Sequence, residues 1–145
     1  MSLHGNTPDG WWQAFVSATP ARTAKLAIVT ASGAPLVAPI WTALDGEQIV
    51  FNTGADTAKG RAIARDPRVS LCWDDQAPPF SFVVVHGTAE IVDDLDEVRR
   101  WAGIIGGRYM GAERAGEYGA RNGVPGELLV RVTPTKVIAS KDIAN

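Results

Sequence analysis

NTGADTAKGRAIARDPRV, residues 52–69, follows the apolar run QIVF and opens a helix. Four cations crowd it, Lys59, Arg61, Arg65 and Arg68, opposed only by Asp56 and Asp66 in a chain whose net charge is -2. A helix N-terminus presents unpaired N–H groups and the positive end of a dipole. Thr53 and Thr57 place hydroxyls at that end, and Lys59 falls in the first turn. Arg61 and Arg65, four apart, share one face. The stretch reads as a phosphate site. It is not a P-loop, because Lys59-Gly60 reverses the Gly-Lys order and no Ser or Thr follows. A solvated basic helix would carry the same pattern, so the residues alone leave both readings open.

Working outward, the flanking segments read as strands. TAKLAIVTA, LVAPIWTA, QIVFNT, RVSLCW, FSFVVVHGTAEIV and ELLVRVTPTKVIAS give six. Pro39 suggests an edge or a bulge in the second. The Asp45-Gly46 pair signals a hairpin into the third, and Gly87 suggests a bend, bulge or close approach in the fifth. Helices are expected over TPDGWWQAFVSA, with Thr7 as cap and Pro8 in the first turn, over about Asp56–Asp66, stopped by Pro67, and over DDLDEVRRWAGIIGGRYM, with acids in its first turn. Gly106-Gly107 is expected to loosen or end that helix. GAERAGEYGARNGVPG reads as helical, then loop. Hairpin signals dominate, so the fold class is mainly β with inserted helices: a six-stranded antiparallel barrel rather than a doubly wound parallel sheet.

The whole chain sets bounds. Its 145 residues suit one domain spanning 1–145, with 46% apolar and 21% charged residues. A lone cysteine, Cys72, excludes an internal disulfide framework and fits a reducing compartment. No apolar run reaches the roughly 20 residues of a membrane helix, and the N-terminus has no apolar signal core. A cytoplasmic protein is expected. Mild acidity argues against general nucleic-acid binding.

Three strings carry a resemblance: LVAPIWTALDGEQIVFNTGADTAKGRAIARDPRVSLCWDD (36–75), FSFVVVHGTAEI (80–91) and GELLVRVTPTKVIA (126–139). The chain resembles the pyridoxamine 5'-phosphate oxidase-like split β-barrel superfamily over roughly residues 20–140. Within it, the chain is most similar to the actinobacterial branch that uses the deazaflavin coenzyme F420. The resemblance implies an FMN-binding-like split barrel and a homodimer with cofactor sites at the subunit interface. By it, Asn52 and Thr53 end a strand beside the cofactor, and Thr57 and Lys59 match the phosphate-binding positions, with Gly60 next to them. Ala38, Pro39, Ile40, Trp41 and Thr42 would line the ring system. FMN-using relatives carry an arginine where Ala58 stands and basic residues on the second strand; both are missing here. Arg61 and Arg65 would instead meet the acidic tail of F420. The implied activity is hydride transfer between F420 and an electron-poor organic substrate. The alternatives are an FMN-dependent oxidoreductase of the same fold and a non-catalytic carrier of cofactor or haem.

The remaining residues give weaker signals. His86 reads as a packed or surface histidine before it reads as an acid, since no carboxylate partner is evident nearby. His4 falls in a tail expected to be mobile. Two distant histidines and one cysteine make no metal-ligand spacing. Cys72 reads as a structural thiol. Trp41 and Trp73 could each stack on a tricyclic ring or pack in the core. Tyr109, Arg114 and Tyr118 are candidates to reach a substrate from a partner subunit. No nucleophile–base pair emerges, so no catalytic residue is assigned; hydride transfer needs chiefly binding, orientation and exclusion of water.

Overall fold

The strand-like runs fold into one curled sheet. The computed structural model describes residues 1–144. In chain order its elements are β1 (Ser2–Gly5), α1 (Trp11–Val16), β2 (Ala24–Val29), β3 (Pro35–Ile40), β4 (Ala43–Asp45), β5 (Gln48–Gly54), α2 (Ala58–Arg65), β6 (Arg68–Asp74), β7 (Phe82–Val92), α3 (Leu95–Met110), α4 (Ala115–Asn122) and β8 (Glu127–Ser140). A 3₁₀ turn, Ala112–Arg114, joins α3 to α4. No helix among the described residues is long and apolar enough to cross a membrane.

The strand order is β3-β2-β6-β7-β8-β5-β4, with β1 paired to β8. β3 and β4 are consecutive in the chain yet stand at opposite ends of this path. Only Trp41 and Thr42 separate them. The sheet therefore curls until its two ends meet without pairing, which is a barrel with a split.

Five of the six expected strands form as single strands, the second divides in two and an N-terminal strand is added, so the count is eight rather than six. LVAPIWTA is not one strand. The chain turns at Trp41–Thr42, and Ala43–Asp45 pairs with β5 instead of β2. Its hairpin turns at Gly46-Glu47, with Gly46 at φ 60°, as the Asp-Gly signal requires. The N-terminal residues also pair: Ser2–Gly5 lie parallel to Lys136–Ala139, which places His4 in a strand rather than a mobile tail. This parallel pair is the exception in an otherwise antiparallel sheet.

Two helix expectations change. Thr7 and Pro8 do not start α1. Trp11 N–H bonds the Pro8 carbonyl in a turn, and Gly10 at φ 82° caps the helix. Nor do Gly106 and Gly107 end α3, which runs to Met110. A Cβ on Gly106 would sit 2.2 Å from Tyr118 Cβ, and one on Gly107 would sit 3.2 Å from Ala115 Cβ. These glycines let α4 lie directly on α3. Gly87 does mark a bulge: the β7–β8 register shifts at His86/Gly87. Pro39 does lie on an end strand of the sheet.

The barrel interior is filled by Leu26, Phe51, Leu71, Trp73, Val83, Val85 and Val130, among others. A second cluster packs Val98, Trp101 and Ile105 of α3 against Val50 and Leu129 on the sheet's outer side. β5 and β8 are thus buried on both faces where α3 covers them. That is why QIVF and LLV are unbroken apolar runs instead of alternating ones.

Candidate functional site

At the split, residues of β3 and β5 help form a groove of about 250 Å³. Pro39, Ile40 and Trp41 line one wall and Asn52 and Lys59 another, while Ala102, Ile105, Gly106 and Asn122 cover it from α3 and α4. Five residues expected at a cofactor site thus converge, although they come from three separate segments. Ala38 and Thr42 flank this lining. Thr42 is 1% exposed, and its Oγ1 accepts a bond from Trp73 Nε1 at 3.3 Å. Trp73 itself is fully buried in the barrel core.

The strand-to-helix junction stands beside the groove. Thr57 caps α2: its Oγ1 accepts from Gly60 N–H at 3.0 Å and donates to the Gly54 carbonyl at 2.7 Å. Thr53 is buried, its Oγ1 3.2 Å from that of Thr57. Gly60 is needed here, because a Cβ would fall 2.2 Å from the Gly54 carbonyl oxygen. With Gly60 N–H satisfied by the cap, the N–H groups of Ala58 and Lys59 remain at the open end of the first turn. The Thr57 hydroxyl is already engaged in capping, so the backbone and Lys59 are the better anion donors.

The four cations of this segment separate. Lys59 is half-buried and lines the groove. Arg61 is exposed and donates from Nη1 to the Asp56 carbonyl. Arg65 donates from Nη2 to the Val29 carbonyl at 2.7 Å, on the end of β2. Arg61 and Arg65 do not line the groove. Arg68 forms a two-point pair with Asp66, 3.0 Å and 2.7 Å, and this guanidinium holds the Asp66 carboxyl down to about 2.

The aromatic wall is built from afar. The Trp41 ring is stacked on Tyr109 and tilted against Tyr118, 5.8 Å away at 58°. Arg114 and Arg121 stand over the Tyr118 ring at 5.2 Å and 5.4 Å. Arg108 donates to the carbonyls of Thr42, Val16 and Ala18, fixing the turn between β3 and β4. Tyr109 and Tyr118 therefore act within this chain as supports of Trp41. The sequence offered no local sign of this, nor of Ala102, Ile105, Gly106 and Asn122, since helix residues 60 positions away carry no groove motif.

Outside the groove, His86 Nδ1 lies 2.6 Å from Ser70 Oγ across the β6–β7 pair. Its partner is a hydroxyl on the neighbouring strand. Cys72 is half-buried, and burial followed by the nearby Asp74 charge pushes its thiol up, away from thiolate character.

The family model described as pyridoxamine 5'-phosphate oxidase matches residues 12–141. No curated protein matches the chain. Among solved structures, conserved hypothetical protein Rv2991 from Mycobacterium tuberculosis superposes with a TM-score of 0.80 at 24% identity, over 92% of this chain and 84% of that one. An F420 reductase superposes with a TM-score of 0.69 at 26% identity, over 90% and 98%. The heme storage protein HutZ from Vibrio cholerae, at 18% identity and a TM-score of 0.65 over 81% and 85%, shares the fold alone. A split barrel with its groove between the sheet ends, together with a family match over nearly the whole length, places this chain in the pyridoxamine 5'-phosphate oxidase family.

Proposed function

We propose that this protein is an F420-dependent oxidoreductase, acting as a homodimer on an electron-poor organic acceptor such as an enone, a quinone or a tetrapyrrole. The observation that carries the reading is the convergence of Lys59, Asn52 and the Pro39–Trp41 wall in one groove. The residues fit the cofactor's two halves. Lys59 and the first-turn N–H groups of α2 suit a phosphodiester. Pro39 and Trp41 offer apolar and aromatic surface to a ring, backed by the buried Ile40, Ala102 and Ile105. When bound, the deazaflavin supplies a two-electron hydride carrier. The chain's own part is to bind, orient and shield. The apolar wall excludes water from one face of the groove, and the Tyr109 and Arg108 contacts hold that wall in place.

A second copy completes this reading. About 250 Å³ is below the roughly 300–1,000 Å³ of ordinary ligand pockets, so further walls are needed. Pro35, Val37 and Pro39 lie on the exposed side of end strand β3, with Val37 68% exposed. Pro39 belongs to both this surface and the groove. A copy docked there would adjoin the cofactor.

Fluorescence titration of the purified protein with F420 and with FMN tests the proposal. Tighter binding of F420 is expected. Tighter binding of FMN would replace the deazaflavin with the flavin in the same groove, and a Soret band on the purified protein would favour a haem carrier.

A further inference from the structure

Three polar residues from three elements line the groove: Lys59 of α2, Asn52 of β5 and Asn122 of α4. No carboxylate lines it. The Asn52 amide makes one long contact, donating to the Leu128 carbonyl at 3.4 Å. Asn122 donates no side-chain hydrogen bond to another group among the described residues, and it is half-buried where it lines the groove. An asparagine at a helix end commonly serves as a cap. Here the cap position is Gly123, and Asn122 stays helical. Capping therefore does not account for it.

Asn122 is also held rigidly. Tyr118, one turn earlier on the same face, is 5% exposed and lies against Gly106 and Trp41. On the other side, Arg99 Nε donates to the Gly123 carbonyl at 3.1 Å, and a Cβ on Gly123 would meet Arg99 Cα at 2.6 Å. Tyr118, one turn before this asparagine, and Gly123, directly after it, are thus packed against α3. A rigid element presenting an unspent amide is what a specific contact requires.

We infer that Asn122 is a specificity-determining residue of the groove, reading the uncharged hydroxyl and carbonyl groups that flank a bound phosphodiester. This rests on the cofactor reading above. Lys59 supplies the charge. Asn52 and Asn122 face the ligand from the sheet and from the helical cover, and an amide both donates and accepts. It therefore suits groups that do both without charge, and it adds little for a bare phosphate that Lys59 already neutralises.

The test uses the full chain with Asn122→Ala, Asn122→Asp and Asn122→Ser, titrated with F420 and with FMN at low and high salt, beside thermal unfolding. Asn122→Ala is expected to weaken F420 by about two- to tenfold, the value of one neutral hydrogen bond. Asn122→Asp places a carboxylate beside the phosphate and should weaken it by about tenfold or more at low salt, the loss shrinking as salt rises. Asn122→Ser should fall between the native protein and Asn122→Ala, and it carries the test if another variant misfolds. Folded variants that bind F420 as tightly as the native chain would overturn the role of Asn122 and leave the cofactor reading intact. Equal losses of F420 and FMN in the variants would overturn the specificity of Asn122 while leaving the cofactor reading intact, and a native chain that holds only FMN would remove the deazaflavin and, with it, this role of Asn122. A native chain that takes up neither overturns both.

Discussion

Trp41 and Tyr109 lie face to face, ring centroids 5.1 Å apart and planes 5° from parallel. One residue interrupts the sheet at its split; the other lies in the last turn of the long helix that covers it. The Tyr109 hydroxyl accepts from Thr42 N–H at 3.1 Å and donates to the Arg22 carbonyl at 2.6 Å. A single phenol thus joins the turn between β3 and β4, the segment before β2 and the aromatic wall of the groove. Its loss should be felt in stability and in binding together.

Tyr109→Phe keeps the stack and removes the hydroxyl. Thr42 N–H then loses its partner in a half-buried site, at a cost of about 1–3 kcal/mol. Urea unfolding should show that loss, with the tryptophan emission of the folded state nearly unchanged. Undiminished stability would mean the turn at Thr42 is held by Arg108 alone.

Gly106→Ala tests the contact between α3 and α4. The added methyl would lie 2.2 Å from Tyr118 Cβ, so the helices must separate. Overpacking of this kind costs about 1–3 kcal/mol. A lower thermal midpoint is expected, with weaker cofactor binding, because Tyr118 and Asn122 move with α4. A variant as stable as the native chain would contradict the close packing.

Lys59→Ala separates binding from folding. A charge-assisted contact to phosphate contributes about 1.5–3 kcal/mol, or a loss of about ten- to hundredfold in affinity. Lys59 forms no ion pair among the described residues, so stability should change by less than about 0.5 kcal/mol. Unchanged affinity in the folded variant would return residues 52–69 to an ordinary solvated helix.

Arg61→Gln and Arg65→Gln are expected to differ. Arg61 stands two residues beyond Lys59 and should help hold an extended acidic tail; its loss should weaken F420 more than FMN, less so at high salt. Arg65 ties α2 to the end of β2 through Val29. Its replacement should lower stability by about 0.5–1.5 kcal/mol and change affinity less. Paired titrations and unfolding curves on the two variants distinguish the roles; equal effects on both cofactors would show that Arg61 serves only a common phosphate.

Val37→Asp addresses assembly. Light scattering at micromolar concentration should give a dimer for the native chain and a monomer near 15.4 kDa for the variant. A charge at a residue 68% exposed costs the monomer little, but it would be buried in an interface. A native monomer would leave the groove with no second wall.

What the sequence by itself determined was local. Apolar runs bounded by turn signals marked six strands, Asp45-Gly46 marked a hairpin, and the run from about Asp56 to Asp66 before Pro67 marked a helix, which the structure caps at Thr57. These follow from backbone sterics and neighbouring hydrogen bonds, so a short window contains their cause. Lys59 stood out in the basic run and Asn52 through the family resemblance, and both flank that strand-to-helix junction. The tertiary structure decided what those windows could not contain. LVAPIWTA divides because Ala43–Asp45 finds β5, at the far end of the sheet from β3. Gly106 and Gly107 leave α3 intact because Tyr118 and Ala115 of another helix need the space. Arg65 is drawn to Val29 and Arg68 to Asp66, although all four cations of the segment look alike in a row of letters. Asn122 reaches the groove only because α4 lies on those glycines. Periodicity specifies which face of an element is apolar; which distant element covers that face depends on packing, and the groove exists only where those elements meet.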